Sequence, residues 1–350
     1  MSTEKVNFPE TLLSAIQYFA DADRSLAFMV SMRWPDGKVT CPRCQCERVS
    51  FLSTRRLWKC KGCAKQFSVK VGTIFEDSPL GLERWLPAVW VIVNAKNGVS
   101  SCELARSLGV TQKTAWFMLH RIRLAMQNGT LDQFGGQVEV DETFIGGKAR
   151  NMHADVKARR GIKTGGASMT PVMGLLERTT ARRQSRVILK HVETRRKPEL
   201  QGNVRKYVLK GSTVNTDELL AYEGLQDEFT HNVINHAECY AKGQVHVNGM
   251  ENFWSLLKRC IKGTYVSVEP FHLFRYLDEQ SFRFNERKDK EGDKGRFLTA
   301  MAGIFGKRLT FRHLTGADRV DNLPGGQGKA KEGVKFYGLW LFPLDGMMPT

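Results

Sequence analysis

Gln137 to Gly146 reads QVEVDETFIG, and its alternation of apolar and polar residues at period two marks a β-strand. Two further strand candidates follow, PVMGLLERT (171–179) and SRVILKHVE (185–193), set apart by basic, turn-like segments. Next, KPELQGNVRKYVL (197–209) places Pro198 at a helix start, GSTVNTD (211–217) reads as a fourth strand, ELLAYEGL (218–225) as a helix, and FTHNVINH (229–236) as a fifth strand. HVNGMENFWSLLKRCIKGTY (246–265) and VEPFHLFRYLDEQSFRFNER (268–287) carry helical spacing. Three strands, helix, strand, helix, strand, helix, helix is a meander followed by alternation, which predicts a mixed sheet covered by helices.

In the helix from 246 to 265, Met250, Phe253, Trp254, Leu257 and Ile261 form one apolar stripe, and Asn248, Glu251, Ser255 and Lys258 line another face. Asp141 lies in the first strand and Asp217 ends the fourth, so neighbouring strands can bring both to one carboxyl edge, where Glu251 arrives on the helix. Convergent carboxylates suit Mg2+ or Mn2+, hard ions that take oxygen ligands, and such a site serves phosphodiester cleavage. Lys258, on the face of Glu251 about two turns on, can meet a phosphate. Singly, each acid has a plainer reading: Asp141 an edge-strand charge, Asp217 a helix cap, Glu251 a partner of the helix dipole.

The chain has 350 residues with 53 Lys plus Arg against 36 Asp plus Glu, a net charge of +17 that favours a polyanion such as DNA. Its longest apolar run, Trp85 to Val93, falls short of the roughly 18 to 20 residues of a spanning helix, and no signal peptide opens the chain. A cytoplasmic, nucleoid-associated bacterial protein without membrane contact is the expectation.

Four of eight cysteines form Cys41-x2-Cys44, fifteen residues, then Cys60-x2-Cys63, the spacing of a ribbon with one structural Zn2+. Cys46 is an alternative ligand to Cys44. Arg43, Arg48, Arg55, Arg56, Lys59, Lys61 and Lys65 around the knuckles point to DNA backbone contact. Beyond them, VSSCELARSLGVTQKTAWFMLHRIR (99–123) reads as a helix over Cys102–Leu108, a turn at Gly109, and a second helix after Thr111, a helix-turn-helix layout. Gln112, Lys113 and Thr114 would face base edges, with His120, Arg121 and Arg123 further along. The plainer reading is a helical hairpin burying Leu104, Leu108, Val110, Trp116 and Leu119.

VEVDETFIGGK (138–148), STVNTDELLAY (212–222), the stretch from Val233 to Arg287 and the CPRC to CKGC module together resemble the IS1595, or ISXO2-like, transposases of bacterial insertion sequences, over roughly residues 10 to 315. The resemblance implies an RNase H-like catalytic fold and a DDE-type mechanism at a Mg2+ site, acting on the terminal inverted repeats of an element and on target DNA. It puts the first catalytic Asp on Asp141 and the second on Asp217. The third group, Glu or Asn in such proteins, falls on Glu251 first, Asn248 second, with Asn252 also available, and a lysine follows as Lys258. His246 lies close enough to touch DNA. Holding two element ends implies a homodimer or higher oligomer on DNA. A DNA-binding regulator or an idle, domesticated descendant is the competing reading.

The expected architecture is multidomain, α+β and α/β. It comprises an N-terminal helical segment (1–36), a zinc ribbon (37–72), a helix-turn-helix region (73–130), an RNase H-like mixed-sheet domain (131–290) and a basic C-terminal extension (291–350).

Overall fold

The computed structural model describes residues 8–127, 132–146, 158, 169–181, 183–234 and 246–316. They divide into two compact units, one drawn from 8–91, 104–125 and 297–316, the other from 92–103 and 126–296. Of the C-terminal extension expected over 291–350, residues 317–350 lie outside the described residues.

In the first unit, the helical period over residues 9–33 is cut into α1 (Leu12–Phe19) and α2 (Ala22–Arg33). The cut falls at Asp21, whose carboxylate accepts the backbone N–H groups of Asp23 and Arg24 and so starts a new helix. Strands β1 (Val49–Leu52), β2 (Leu57–Cys60) and β3 (Gln66–Phe67) form an antiparallel ribbon, with Trp58 against Trp34 and Phe67. Along the chain come helix α3 (Leu82–Asn94) and α4 (Ser101–Leu108), whose residues within 92–103 count with the second unit, then a turn through Gly109 at φ +62° and α5 (Gln112–Ala125). Ser100 Oγ accepts the Glu103 N–H and Thr111 Oγ1 that of Thr114, so each helix begins on a hydroxyl.

The second unit is built on a five-stranded mixed sheet of β4 (Gln137–Ile145), β5 (Thr170–Glu177), β6 (Arg186–His191), β7 (Thr213–Asp217) and β8 (Thr230–Ile234) in the order β6-β5-β4-β7-β8. The first three strands pair antiparallel; β7 runs parallel to β4, and β8 to β7. Helix α6 (Lys197–Tyr207) makes the crossover between β6 and β7, packing Leu200 and Val204 with Val138, Val140, Met173 and Leu175. The opposite face, with Ile145, Val172 and Leu176, is covered by α7 (Asn248–Cys260) and α8 (Leu273–Asn285) through Met250, Phe253, Trp254, Leu257 and Leu277. Period two in the strands and the apolar stripe of α7 thus meet as expected. ELLAYEGL does not form the expected helix: it is two short 3-10 turns, Leu220–Tyr222 and Leu225–Asp227, because Gly224 between them adopts φ +94°.

The chain then returns to complete the first unit with α9 (Asp293–Ala302) and α10 (Phe311–Thr315). Phe297 enters a ring cluster with Phe19, Phe28 and Trp90, and Phe305 bridges to Thr73. Residues 297–316 are therefore part of the ribbon-bearing unit rather than a free-standing extension.

Candidate functional site

Strands β4 and β7 pair as Gln137 with Thr213, Val138 with Val214 and Glu139 with Asn215, and Asp141 and Asp217 each lie two residues beyond the last of these pairs on their own strands. Each carboxylate takes an N–H from just downstream in its own chain: Glu142 N to Asp141 Oδ1 at 2.8 Å, Leu219 N to Asp217 Oδ1 at 3.2 Å. The indole Nε1 of Trp254 donates to Asp141 Oδ2 at 2.9 Å. Burial pushes the Asp141 carboxyl up from the ordinary aspartate range; these hydrogen bonds oppose the shift, and the charges of Asp217 and Glu251 add to it. A carboxyl destabilised by its own neighbours is one that a cation would relieve.

Helix α7 is pinned to the same strand. Glu139, buried two residues before Asp141 and on the same face, accepts the N–H of Met250 at 2.9 Å and Arg178 Nε at 2.6 Å. Arg178 Nη2 reaches the carbonyl and Nδ1 of His246 at 2.7 and 2.8 Å. Met250 and Trp254 are one helical turn apart, and Glu139 and Asp141 one pleat repeat apart, so two acids on β4 engage two successive turns of α7. Asn248, Glu251, Asn252 and Lys258 consequently point away from the packed face and are exposed. His246, expected near DNA, is held by Arg178; an arginine only donates, so Nδ1 accepts and Nε2 carries the ring proton.

Sequence reasoning passed over Glu139 and Glu142, which flank Asp141. Glu142 turns to the other face of the sheet, where Tyr222 donates its hydroxyl to Oε1 and Arg195 Nε stands 3.5 Å from Oε2. Burial raises its pKa to about 7. Three acids in four residues, E-V-D-E, was the available signal, since alternation alone assigns the middle one to the opposite face from its successor.

In the first unit the four sulfurs of Cys41, Cys44, Cys60 and Cys63 lie within 4.8 Å of one another; Cys46 is not among them. Both Cys-x2-Cys turns close alike, with Gln45 and Ala64 after the second cysteine at φ +58° and +60°. Cys60 Sγ accepts the N–H groups of Gly62 and Cys63 at 3.3 and 3.5 Å. The Cys63 bond is foremost in holding the Cys60 thiol down, to about 6. Four sulfurs so close together, with two backbone N–H groups aimed at the Cys60 sulfur, fit a structural Zn2+, which these four residues would hold. The basic residues around them are exposed, Arg56 being paired with Asp23 at 2.7 Å.

Helix α5 exposes Gln112 and Lys113 at its first turn, with Thr114 half-buried. Arg121 and Arg123 require a correction. They are 5% and 1% exposed, and His120 is fully buried, so none of the three faces a DNA surface. Arg121 donates instead to the carbonyls of Leu309 and Glu76 at 3.1 and 2.9 Å and stacks on Phe117. The Leu309 carbonyl that Arg121 meets lies 188 positions later in the chain.

Among the described residues, no helix is long and apolar enough to cross a membrane. Residues 133–285 match the family model of the ISXO2-like transposase domain, and residues 21–66 match that of the transposase zinc-ribbon domain. The chain is 28% identical over 256 residues to a protein in the transposable element ISH50 of Halobacterium salinarum, covering 70% of this chain and 84% of that one. It is 34% identical over 88 residues to a transposase-like protein of Haemophilus influenzae, covering 25% of this chain and 71% of that one.

Proposed function

This chain belongs to the IS1595, or ISXO2-like, transposase family, and on that premise we propose that it is a DDE-type transposase that binds the terminal inverted repeats of its element, cuts the DNA ends and joins them to a target. The observation that carries the reading is that Asp141 and Asp217 each lie two residues past the last β4–β7 pair, with the charges of Asp217 and Glu251 acting on Asp141. That sheet order, three antiparallel strands extended by two parallel ones, supports an RNase H-like assignment for the second unit.

Asp141, Asp217 and Glu251 would hold Mg2+ or Mn2+, with Asn248 as the alternative third group. The donor set fits: hard carboxylate oxygens, with the Asp141 carboxyl made harder to ionise by burial and by the charges of Asp217 and Glu251. The ion would supply Lewis-acid polarisation of the scissile phosphate. The remaining work is the chain's own. Trp254 and the Glu142 N–H fix the orientation of the Asp141 carboxylate. Glu139 and Arg178 anchor the helix that carries Glu251. Lys258 lies about 10 Å along that helix from Glu251 and takes the neighbouring phosphate. Hydrolysis breaks a P–O3′ bond and leaves a 3′ hydroxyl on the element; that hydroxyl then attacks a target phosphorus and displaces the target's own 3′ oxygen. Gln112, Lys113 and Thr114 at the start of α5 act as the base-reading end of a helix-turn-helix, the exposed ribbon cations track the phosphate backbone, and two protomers hold the two ends.

The test is a labelled terminal-repeat duplex incubated with the protein and Mg2+, beside Asp141→Asn, Asp217→Asn, Glu251→Gln and Asn248→Ala. Wild type should cut and join, and both aspartate variants should bind the ends without cutting them. Loss of end binding together with cleavage would make the aspartates structural. Binding without cleavage by wild type would leave an idle, DNA-binding descendant. Joining that survives Glu251→Gln but not Asn248→Ala would assign the third position to the amide.

A further inference from the structure

We propose that Glu142 and Tyr222 are positioning residues: a hydrogen bond between them, made on the face of the sheet away from α7, ties together the two backbone segments that orient Asp141 and Asp217. This rests on the reading of those aspartates as metal ligands.

The path is continuous. Asp141 Oδ1 accepts the N–H of Glu142 at 2.8 Å, so the backbone of residue 142 sets the rotation of the first carboxylate. Asp217 Oδ1 accepts the N–H of Leu219 at 3.2 Å, so the backbone of residue 219 sets the second. Leu219 opens the 3-10 turn Leu220–Tyr222, and Tyr222 N donates back to the carbonyl of Leu219 at 2.9 Å, which makes the turn one stiff unit. Its tyrosine hydroxyl donates to the side chain of Glu142. One side-chain contact therefore closes a loop that runs from one aspartate to the other.

The register pairs of β4 with β7 run from Gln137 with Thr213 to Glu139 with Asn215, two residues short of the aspartates, and the Tyr222–Glu142 hydrogen bond links the two segments beyond that last pair. Tyr222 is buried in the core beneath α6, together with Val138, Val140 and Leu225, which removes the freedom of the ring. On the other side of Glu142, Arg195 stands 3.5 Å from Oε2 and over the ring of Phe144. Burial and the Glu142 charge raise the Tyr222 pKa well above the ordinary phenol value, so the hydroxyl keeps the proton it donates.

The experiment measures Mn2+ affinity of the full-length protein by the electron paramagnetic resonance of free Mn2+, in wild type, Asp141→Asn, Tyr222→Phe, Glu142→Gln and Glu142→Leu, with unfolding midpoints recorded alongside. Asp141→Asn defines the signal that belongs to the site. Tyr222→Phe and Glu142→Leu should each weaken Mn2+ binding about tenfold, while Glu142→Gln, whose amide oxygen can still accept the tyrosine proton, should stay within about twofold of wild type. Should Tyr222→Phe fail to fold for want of a partner to Glu142, the double variant Glu142→Leu with Tyr222→Phe leaves no polar group unpaired and should show the same weakening. Wild-type affinity in Tyr222→Phe, or in the folded double variant, overturns the proposal alone. Equal loss in Glu142→Gln and Glu142→Leu also overturns it, by assigning the effect to charge. A wild type whose Mn2+ binding is no greater than that of Asp141→Asn rejects the metal-site reading and this inference with it.

Discussion

Gly174 leaves open the space that the indole of Trp254 occupies: a methyl group at residue 174 would stand 2.7 Å from ring carbons Cζ2 and Cη2. Gly174 is also the register partner of Asp141 across β4 and β5. The missing side chain on β5 is thus what lets a tryptophan lie flat enough over the sheet to donate to an aspartate on the next strand.

Gly174→Ala should therefore cost about 1–3 kcal/mol by overpacking, and Trp254→Phe about 1.5–3 kcal/mol by leaving Asp141 without its indole donor. Urea denaturation measures both. Cleavage should fall in each before folding is lost, and full activity in Trp254→Phe would mean that the indole does not orient Asp141.

Arginine and lysine on α5 should behave oppositely. Arg121→Ala strips two backbone carbonyls of their donor and should destabilise the fold by about 2 kcal/mol or more. Lys113→Ala should leave stability unchanged and lower the salt slope of duplex binding by about one. A salt slope that moves with Arg121 and not with Lys113, measured by fluorescence anisotropy on folded variants, would reverse the proposed DNA face.

Removing zinc is a local experiment. Cys41→Ser with Cys60→Ser should eliminate protein-bound zinc by elemental analysis and open the ribbon to trypsin at Arg55 and Arg56, while Cys46→Ser keeps both properties. Zinc retained by the double variant, or lost from Cys46→Ser, would contradict the ligand set.

His231 supplies a pH test. Burial holds its pKa below the ordinary 6.5, with Nε2 at 2.9 Å from Thr216 Oγ1. The unfolded chain binds the proton more readily than the folded one, so the His231 contribution to stability is complete above about pH 6.5 and is lost as pH falls through the folded value. His231→Gln should lose less stability than wild type between about pH 7.5 and about pH 5.5, either side of the ordinary histidine value. Identical losses would place the titrating group elsewhere.

Much of the fold could be read in advance because its signals are periodic and local. The strand over 137–145 shows alternation, α7 shows an apolar stripe, and the cysteine knuckles show spacing; each is visible within a dozen residues. The strand positions of Asp141 and Asp217 were legible for the same reason, one within a readable strand and the other at the end of one. What escaped depends on partners far along the chain. Arg121 reads as a surface cation until Leu309 arrives 188 residues later, and Glu139 reads as a polar strand position until Met250 presents its N–H 111 residues on. ELLAYEGL has helix-forming residues, but a single glycine at positive φ outweighs their propensity.

The return of residues 297–316 to the ribbon-bearing unit bears on how the protein is made. A ribosome delivers the sheet and the three helices that cover it, residues 137–285, before it releases Phe297, the ring that closes the cluster of Phe19, Phe28 and Trp90. Although its first residues are translated earliest, the N-terminal unit is thereby the last to be completed, and a nascent chain halted at residue 296 would carry a finished sheet behind a unit still missing the centre of its core.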